Sequence, residues 1–166
     1  MAASLTPEER VGLIERYACG PQRLRQALAG APEEMRKWRP APGAFSVHEI
    51  VCHCADSETN DHGRIRYLVA EKEPVILAYD QDNWAASLEY HAHPLDAALA
   101  TIDAVRANTV PLLQRLSEKA WASEGTHTES GPFSAADWLR TCAVHLDEHA
   151  DQLQAVVAAW HAAGAS

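Results

Sequence analysis

Apolar positions recur at helical spacing in four long stretches, and no stretch alternates convincingly with the period of two expected of a half-buried strand. Leu13, Tyr17, Leu24 and Leu28 form one stripe and predict a helix over 7–29. Gly20-Pro21 falls inside it and is expected to kink or break it, because proline lacks the backbone donor and crowds the preceding turn. A second helix is expected over 47–70. Leu95, Leu99, Ile102, Val105, Leu112, Leu113 and Leu116 point inward from a third, over about 94–116, kinked at Pro111. A fourth spans about 135–162, with Leu139, Cys142, Leu146, Leu153 and Val156 on its core side.

Start signals agree with this pattern. Thr6-Pro7-Glu8-Glu9 supplies a capping residue, a proline at the first helical position and a glutamate to close the box. Ser46 and Glu49 repeat the box, with Phe45 and Ile50 placed as a hydrophobic staple. Ser134 and Asp137 repeat it again, with Phe133 and Trp138 as the staple. The proline-rich stretch 30–44 reads as a linker. The connection 71–93 is too long to be structureless, and Asp80-Gln81-Asp82-Asn83-Trp84 can open a short helix within it. Four long helices with one long crossover predict an all-α fold, a four-helix bundle.

Composition narrows the picture. With 166 residues, 47% hydrophobic and 22% charged, the chain reads as one folded domain over 1–166. No apolar run approaches the ~20 residues of a membrane-spanning helix, so no membrane partner is expected. Acidic residues follow the N-terminus where a secretion signal would be basic and then apolar, so a cytoplasmic location is expected. The net charge of −9 opposes binding to nucleic acid. Cys19, Cys52, Cys54 and Cys142 form no CxxC pair and are expected as small, reduced core residues.

The nine histidines are the compositional oddity. His145 and His149 lie four apart on a predicted helix, so both rings share one face, as two ligands of one metal ion require. Chance supplies roughly half a pair at this spacing in such a chain, so position must decide. Each ring sits three residues beyond a core residue, Cys142 or Leu146, and an unpartnered ring bordering the interior is costly. His53, in the second helix, is the best third ligand. Glu49 or Asp56 on its face can accept its other ring hydrogen. His48 lies at a solvated helix end, about 140° around the helix from His53. His62 is expected to face water. His91 and His93 lie in the long connection, and His161 near the chain end suits the helix dipole. His127 either reaches the mouth of the site or is surface.

The segments Phe45-Ser46-Val47-His48-Glu49-Ile50-Val51-Cys52-His53-Cys54-Ala55-Asp56-Ser57-Glu58 and His145-Leu146-Asp147-Glu148-His149-Ala150-Asp151-Gln152 carry a resemblance. With Trp84, the stretch 127–131 and Arg106, they make the chain similar to the DinB-like family of metalloenzymes, which includes YfiT-type proteins and bacillithiol S-transferases. The resemblance covers roughly 38–157. It implies an up-down-down-up four-helix bundle and one metal ion held by three histidines, carried over onto His53, His145 and His149. It also implies frequent homodimers. Some relatives transfer low-molecular-weight thiols such as bacillithiol or mycothiol to electrophiles, and others are described as metal-dependent hydrolases.

Three neutral imidazoles leave an ion its full charge and an open position, the pattern of catalysis rather than of structural sites. Zinc and nickel suit such ligands best, and iron is a further fit. Three readings follow. A thiol transferase would act on a small electrophile, with Arg64, Arg66 or Arg106, or polar groups at the mouth such as His127, holding the cosubstrate. A hydrolase acting on a small molecule would use Asp56 or Glu148 as base, although support of a ligand suits Asp56 better. A non-enzymatic stress protein would bind metal or dimerise without turnover. Trp84, Tyr90, Trp121 and Trp138 are enough to line a small-molecule pocket, with Trp138 better suited to the core.

Overall fold

The computed structural model describes residues 5–164, so expectations about the first four and last two residues lie outside it. Its long helices are α1 (Pro7–Ala29), α2 (Val47–Ala70), α4 (Leu95–Gln114) and α6 (Ala135–Gly164), with short helices α3 (Gln81–Ser87) and α5 (Glu118–Trp121) between them. The three capping boxes form as the sequence predicts: Thr6 with Glu9, Ser46 with Glu49, and Ser134 with Asp137. Asp80 caps α3 by accepting from the Asp82 and Asn83 backbone N–H groups. Among the described residues no helix is long and apolar enough to cross a membrane.

The path is up-down-down-up. His48 Nε2 lies 2.9 Å from the His93 carbonyl and His91 Nε2 lies 2.8 Å from Ser46 Oγ. These bonds seat the start of α4 beside the start of α2, so the two run parallel after the crossover. At the opposite end Trp138 Nε1, near the start of α6, donates to the Asp61 carbonyl of α2 at 3.0 Å, so α6 returns antiparallel to α2. Ile14 packs in one cluster with Leu139, and Leu28 in another with Leu153, which makes α1 parallel to α6.

α1 runs unbroken through Gly20-Pro21, so the break that the pair offers does not occur. The missing N–H of Pro21 frees the Tyr17 carbonyl, and Arg106 Nη1 of α4 donates to it at 2.5 Å. A tertiary contact thus replaces the lost helical bond. Gly20 is needed for the same approach, because a Cβ there would sit 2.4 Å from Arg106 Nη1. α4 likewise continues through Pro111.

The structure adds a small sheet that the sequence pattern does not show: β1 (Val75–Ile76), β2 (Glu124–His127) and β3 (Gly131–Ser134). β1 is parallel to β2 with Val75 opposite Thr126, and β2 is antiparallel to β3 with Gly125 opposite Phe133. Strands this short offer too few residues for alternation to register. Gly125 lets Pro74 approach, since a Cβ would stand 2.5 Å from the Pro74 carbonyl oxygen.

The interior has two apolar clusters. One gathers Leu24, Leu28, Ile50, Val51, Leu99, Ile102, Leu146 and Leu153, and the other Ile14, Tyr17, Ile65, Leu68, Leu113, Trp138 and Leu139. Between the two clusters the long helices carry Gly20, Glu58, Arg106 and His145. This polar layer positions the site. Cys52, Cys54 and Cys142 are buried as expected, but Cys19 is exposed on α1.

Candidate metal centre

Antiparallel packing of α2 on α6 brings His53 beside His145 and His149. One nitrogen from each of the three rings lies within 4.8 Å of the others. The ring centroids of His53 are 5.7 Å from His145 and 4.8 Å from His149, and those of His145 and His149 are 4.5 Å apart. His149 Nδ1 faces Gln152 Oε1 at 2.8 Å, so it carries the hydrogen and leaves Nε2 a free lone pair. That Nε2 is 3.1 Å from His145 Nε2. Tetrahedral ligands on bonds of about 2.0 Å stand about 3.3 Å apart, so this spacing suits two ligands of one small ion.

Electrostatics fit the same use. Burial, then His149 and His145 beside it, pushes His53 down to about 3. Burial, then His145, pushes His149 down to about 4 despite the Gln152 contact. Both rings are therefore neutral at neutral pH, the form that ligates metal. His53 Nδ1 and His145 Nδ1 are buried without a hydrogen-bond partner. Orphaned nitrogens are costly in an interior, and a cation or a carboxylate relieves that cost. The residues present fit a divalent ion.

The cluster lines a cleft of about 440 Å³ that also includes Ser57, Asp61, Tyr79 and His127. Ser57 Oγ lies 3.5 Å from His53 Nε2 and is hydrogen-bonded to the Tyr79 hydroxyl. Asp61 is buried, which raises its pKa above the usual carboxylate range; it accepts from the Arg64 guanidinium at 3.0 Å and from the Cys142 thiol at 3.2 Å. Burial also pushes the Cys142 thiol well above its ordinary range, so it stays a neutral donor. His127 Nδ1 accepts from the Glu129 and Ser130 backbone N–H groups, and its ring packs on Phe133. His127 therefore belongs to the cleft wall.

Several expected roles are not available. Asp56 accepts from the Tyr90 hydroxyl at 2.6 Å and does not line the cleft. Glu49 is engaged by Arg39 and the Ser46 N–H, so neither carboxylate turns to His53. Glu148 is exposed on α6 and also lies off the cleft. Arg106 is 1% exposed, donating to Glu58 at 2.5 Å and to the Tyr17 and Cys142 carbonyls, so it cannot hold a cosubstrate. Arg64 lines the cleft but is spent on Asp61 and the Leu77 carbonyl, while Arg66 is held by the His62 carbonyl and Asn108.

Two histidines differ from expectation. His48 is buried under the start of α4 rather than solvated, and His62 lies 3.2 Å from Thr109 Oγ1. Of the aromatic residues, Trp138 lines the cleft from the core and Trp84 stacks on Tyr79 at 4.5 Å. Trp121 packs in the far apolar cluster.

Sequence reasoning missed Asp61 and Glu58. Glu58 is fully buried, accepts from the Tyr17 hydroxyl at 3.2 Å, and stands 3.9 Å from His145 Nδ1. Burial opposes its charge, but His145 and Arg106 beside it hold its carboxyl below the usual range. A signal existed: two carboxylates three apart on the apolar side of α2 need buried partners.

Comparison with known proteins gives a consistent picture. A model of the DinB superfamily matches residues 17–163. A protein of Bacillus licheniformis named "Putative metal-dependent hydrolase" is 30% identical over 119 residues, covering 69% of this chain and 68% of the relative. One of Oceanobacillus iheyensis with the same name is 28% identical over 129 residues, covering 78% and 74%. The solved structure of YfiT from Bacillus subtilis, described as a probable metal-dependent hydrolase with an unusual four-helix bundle topology, superposes with a TM-score of 0.87. It is 20% identical and covers 94% of this chain and 90% of its own.

Proposed function

Because the chain belongs to the DinB superfamily, we propose that it is a hydrolase of small molecules that depends on one divalent metal ion held by His53, His145 and His149. The observation that carries this reading is the convergence of three ring nitrogens within 4.8 Å beside a cleft. Zinc or nickel suits the donor set best, and iron also fits. When bound, the ion supplies Lewis acidity and lowers the pKa of a water or thiol at its open position.

The chain's own groups do the rest. Asp61 is the buried carboxylate of the cleft and takes or returns a proton at the attacking water, a role that a raised pKa suits. Of the hydrogen-bonded Tyr79 and Ser57 hydroxyls, the one that accepts keeps its own hydrogen to donate to a substrate oxygen. Tyr79 and Phe133 offer apolar walls to the rest of the molecule.

Transfer of a low-molecular-weight thiol uses the same centre and is the second reading. Thiols such as bacillithiol and glutathione carry carboxylates, and among the described residues the one arginine of the cleft, Arg64, is already paired. The hydrolytic reading is therefore preferred. Association as a homodimer belongs to the same family reading and is checked by sedimentation velocity.

The test begins with metal analysis of untagged protein purified without added metal. Near-stoichiometric metal is expected, with ester or amide cleavage lost on chelation. Asp61→Asn should lower kcat by about 10²–10⁴-fold while keeping the metal. Protein without metal at near-stoichiometric occupancy overturns the reading. Turnover that appears only with bacillithiol, mycothiol, coenzyme A or glutathione and an electrophile replaces hydrolysis by thiol transfer.

A further inference from the structure

We infer that Glu58 is a positioning residue of the metal centre: it accepts the Nδ1 hydrogen of His145 and so presents that ring's Nε2 lone pair to the ion, while Arg106 fixes Glu58 to the frame of the bundle. The inference rests on the three-histidine metal reading above.

The His145 ring has two unlike edges. Nε2 faces His149 Nε2 at 3.1 Å, on the side where the three rings converge. Nδ1 points away from it, is buried, and has no hydrogen-bond partner. Glu58 Oε1 is 3.9 Å from that nitrogen. A movement of about 1 Å makes it an ordinary hydrogen bond. His149 has the matching arrangement, with Gln152 Oε1 on its Nδ1. Each α6 ligand thus has an acceptor at the edge remote from the convergence point, the pattern that sets tautomer and ring orientation in metal-bound histidines.

Arg106 gives the carboxylate its stiffness. It binds Glu58 Oε1 at 2.5 Å and is itself anchored on two backbone carbonyls, Tyr17 at 2.5 Å and Cys142 at 3.1 Å. The guanidinium also lies over the Tyr17 ring, 4.0 Å from its centroid. The Tyr17 carbonyl is free because Pro21 has no N–H, and Gly20 leaves the guanidinium room. A glycine-proline pair in α1, an arginine in α4 and a glutamate in α2 therefore form one line of contacts ending at a ligand in α6.

The experiment is a zinc titration of metal-free protein against a chromophoric chelator, with folding checked by far-UV circular dichroism. Wild type is compared with Glu58→Met, which has no acceptor oxygen, and with Glu58→Met/Arg106→Met, which removes both buried charges together. A loss of zinc affinity of about 10–100-fold is expected in whichever variant folds. Affinity within about twofold of wild type in a folded variant overturns the inference, since lost partners of this kind cost more than that. Nitrogen-15 spectra of the zinc-loaded wild type read the tautomer directly and decide even if neither variant folds. Hydrogen on His145 Nδ1 with zinc on Nε2 supports the inference, and zinc on Nδ1 overturns it. Wild type that takes up no zinc overturns the metal reading and this inference with it. Failure of the inference alone looks different, because there the wild type still binds.

Discussion

The Arg106–Glu58–Tyr17 network and the His53–His145–His149 cluster occupy the same polar layer between the two apolar clusters, yet they treat their polar atoms in opposite ways. In the network nearly every atom is matched: Glu58 accepts from Arg106 and Tyr17, and Arg106 also reaches two backbone carbonyls, leaving only Arg106 Nε unpaired among its described atoms. In the cluster, nitrogens of neighbouring rings face one another, and two further ring nitrogens have no partner. Buried polar groups persist when they are satisfied. The network largely satisfies its own atoms, whereas the cluster leaves ring nitrogens that its own members do not satisfy.

That contrast predicts how each half breaks. The largest effect is expected from Arg106→Met, which strands the Glu58 charge and costs about 3–5 kcal/mol by urea unfolding. A cost under about 1 kcal/mol, the scale of an exposed pair, would mean the network is not the closed unit described.

The cluster should respond to metal instead. Zinc at a hundred times its dissociation constant raises unfolding stability by about 2.7 kcal/mol, chelator reverses it, and His149→Ala abolishes it. Without metal, that substitution is expected to change stability by less than about 1 kcal/mol, because it strands no charge and alanine favours the helix. A thermal scan of His149→Ala that still rises with zinc would assign the ion elsewhere.

Gly20→Ala sharpens the same contrast from the far side of the network. Its Cβ would stand 2.4 Å from Arg106 Nη1, so overpacking is expected to cost about 1–3 kcal/mol. Unchanged stability would show that the guanidinium moves aside freely.

A further effect concerns pH. Glu49 is another closed carboxylate: burial raises it, but Arg39 and Ser46 prevail and hold it down at about 2. A group with a depressed native pKa contributes stability that is present above its unfolded value and lost as pH falls through the native one. Glu49→Gln should therefore flatten the loss of stability between about pH 4.5 and pH 2. An acid limb as steep as that of wild type would count against the assignment.

How much was legible in the sequence follows from the range of the interactions. The four long helices, the three capping boxes and the short helix after Asp80 depend on residues within a turn of each other, so spacing alone revealed them. The pair His145 and His149 is local in the same sense. His53 was reached by its helix and by family resemblance, and the structure brings it to that pair. Glu148 is next to His149 in sequence, but neighbours along a helix turn about 100° apart and need not share a surface; Asp56 shares a face with His53 by spacing, yet the Tyr90 hydroxyl from the crossover claims it. Asp61, eight residues beyond His53, is the one that lines the cleft.

The sequence by itself determined what local geometry and apolar spacing can encode: helix positions, caps, the histidine pair on α6 and the class of bundle. Only the tertiary structure decided the partners of charged and polar groups. Gly20-Pro21 reads as a break until Arg106 arrives from α4 to take the freed carbonyl, and Arg106 reads as a ligand-holding cation until Glu58 claims it. The reason is that burying a charge is tolerable only with a matched partner. That partner is chosen across helices, at separations where one-dimensional periodicity carries no information.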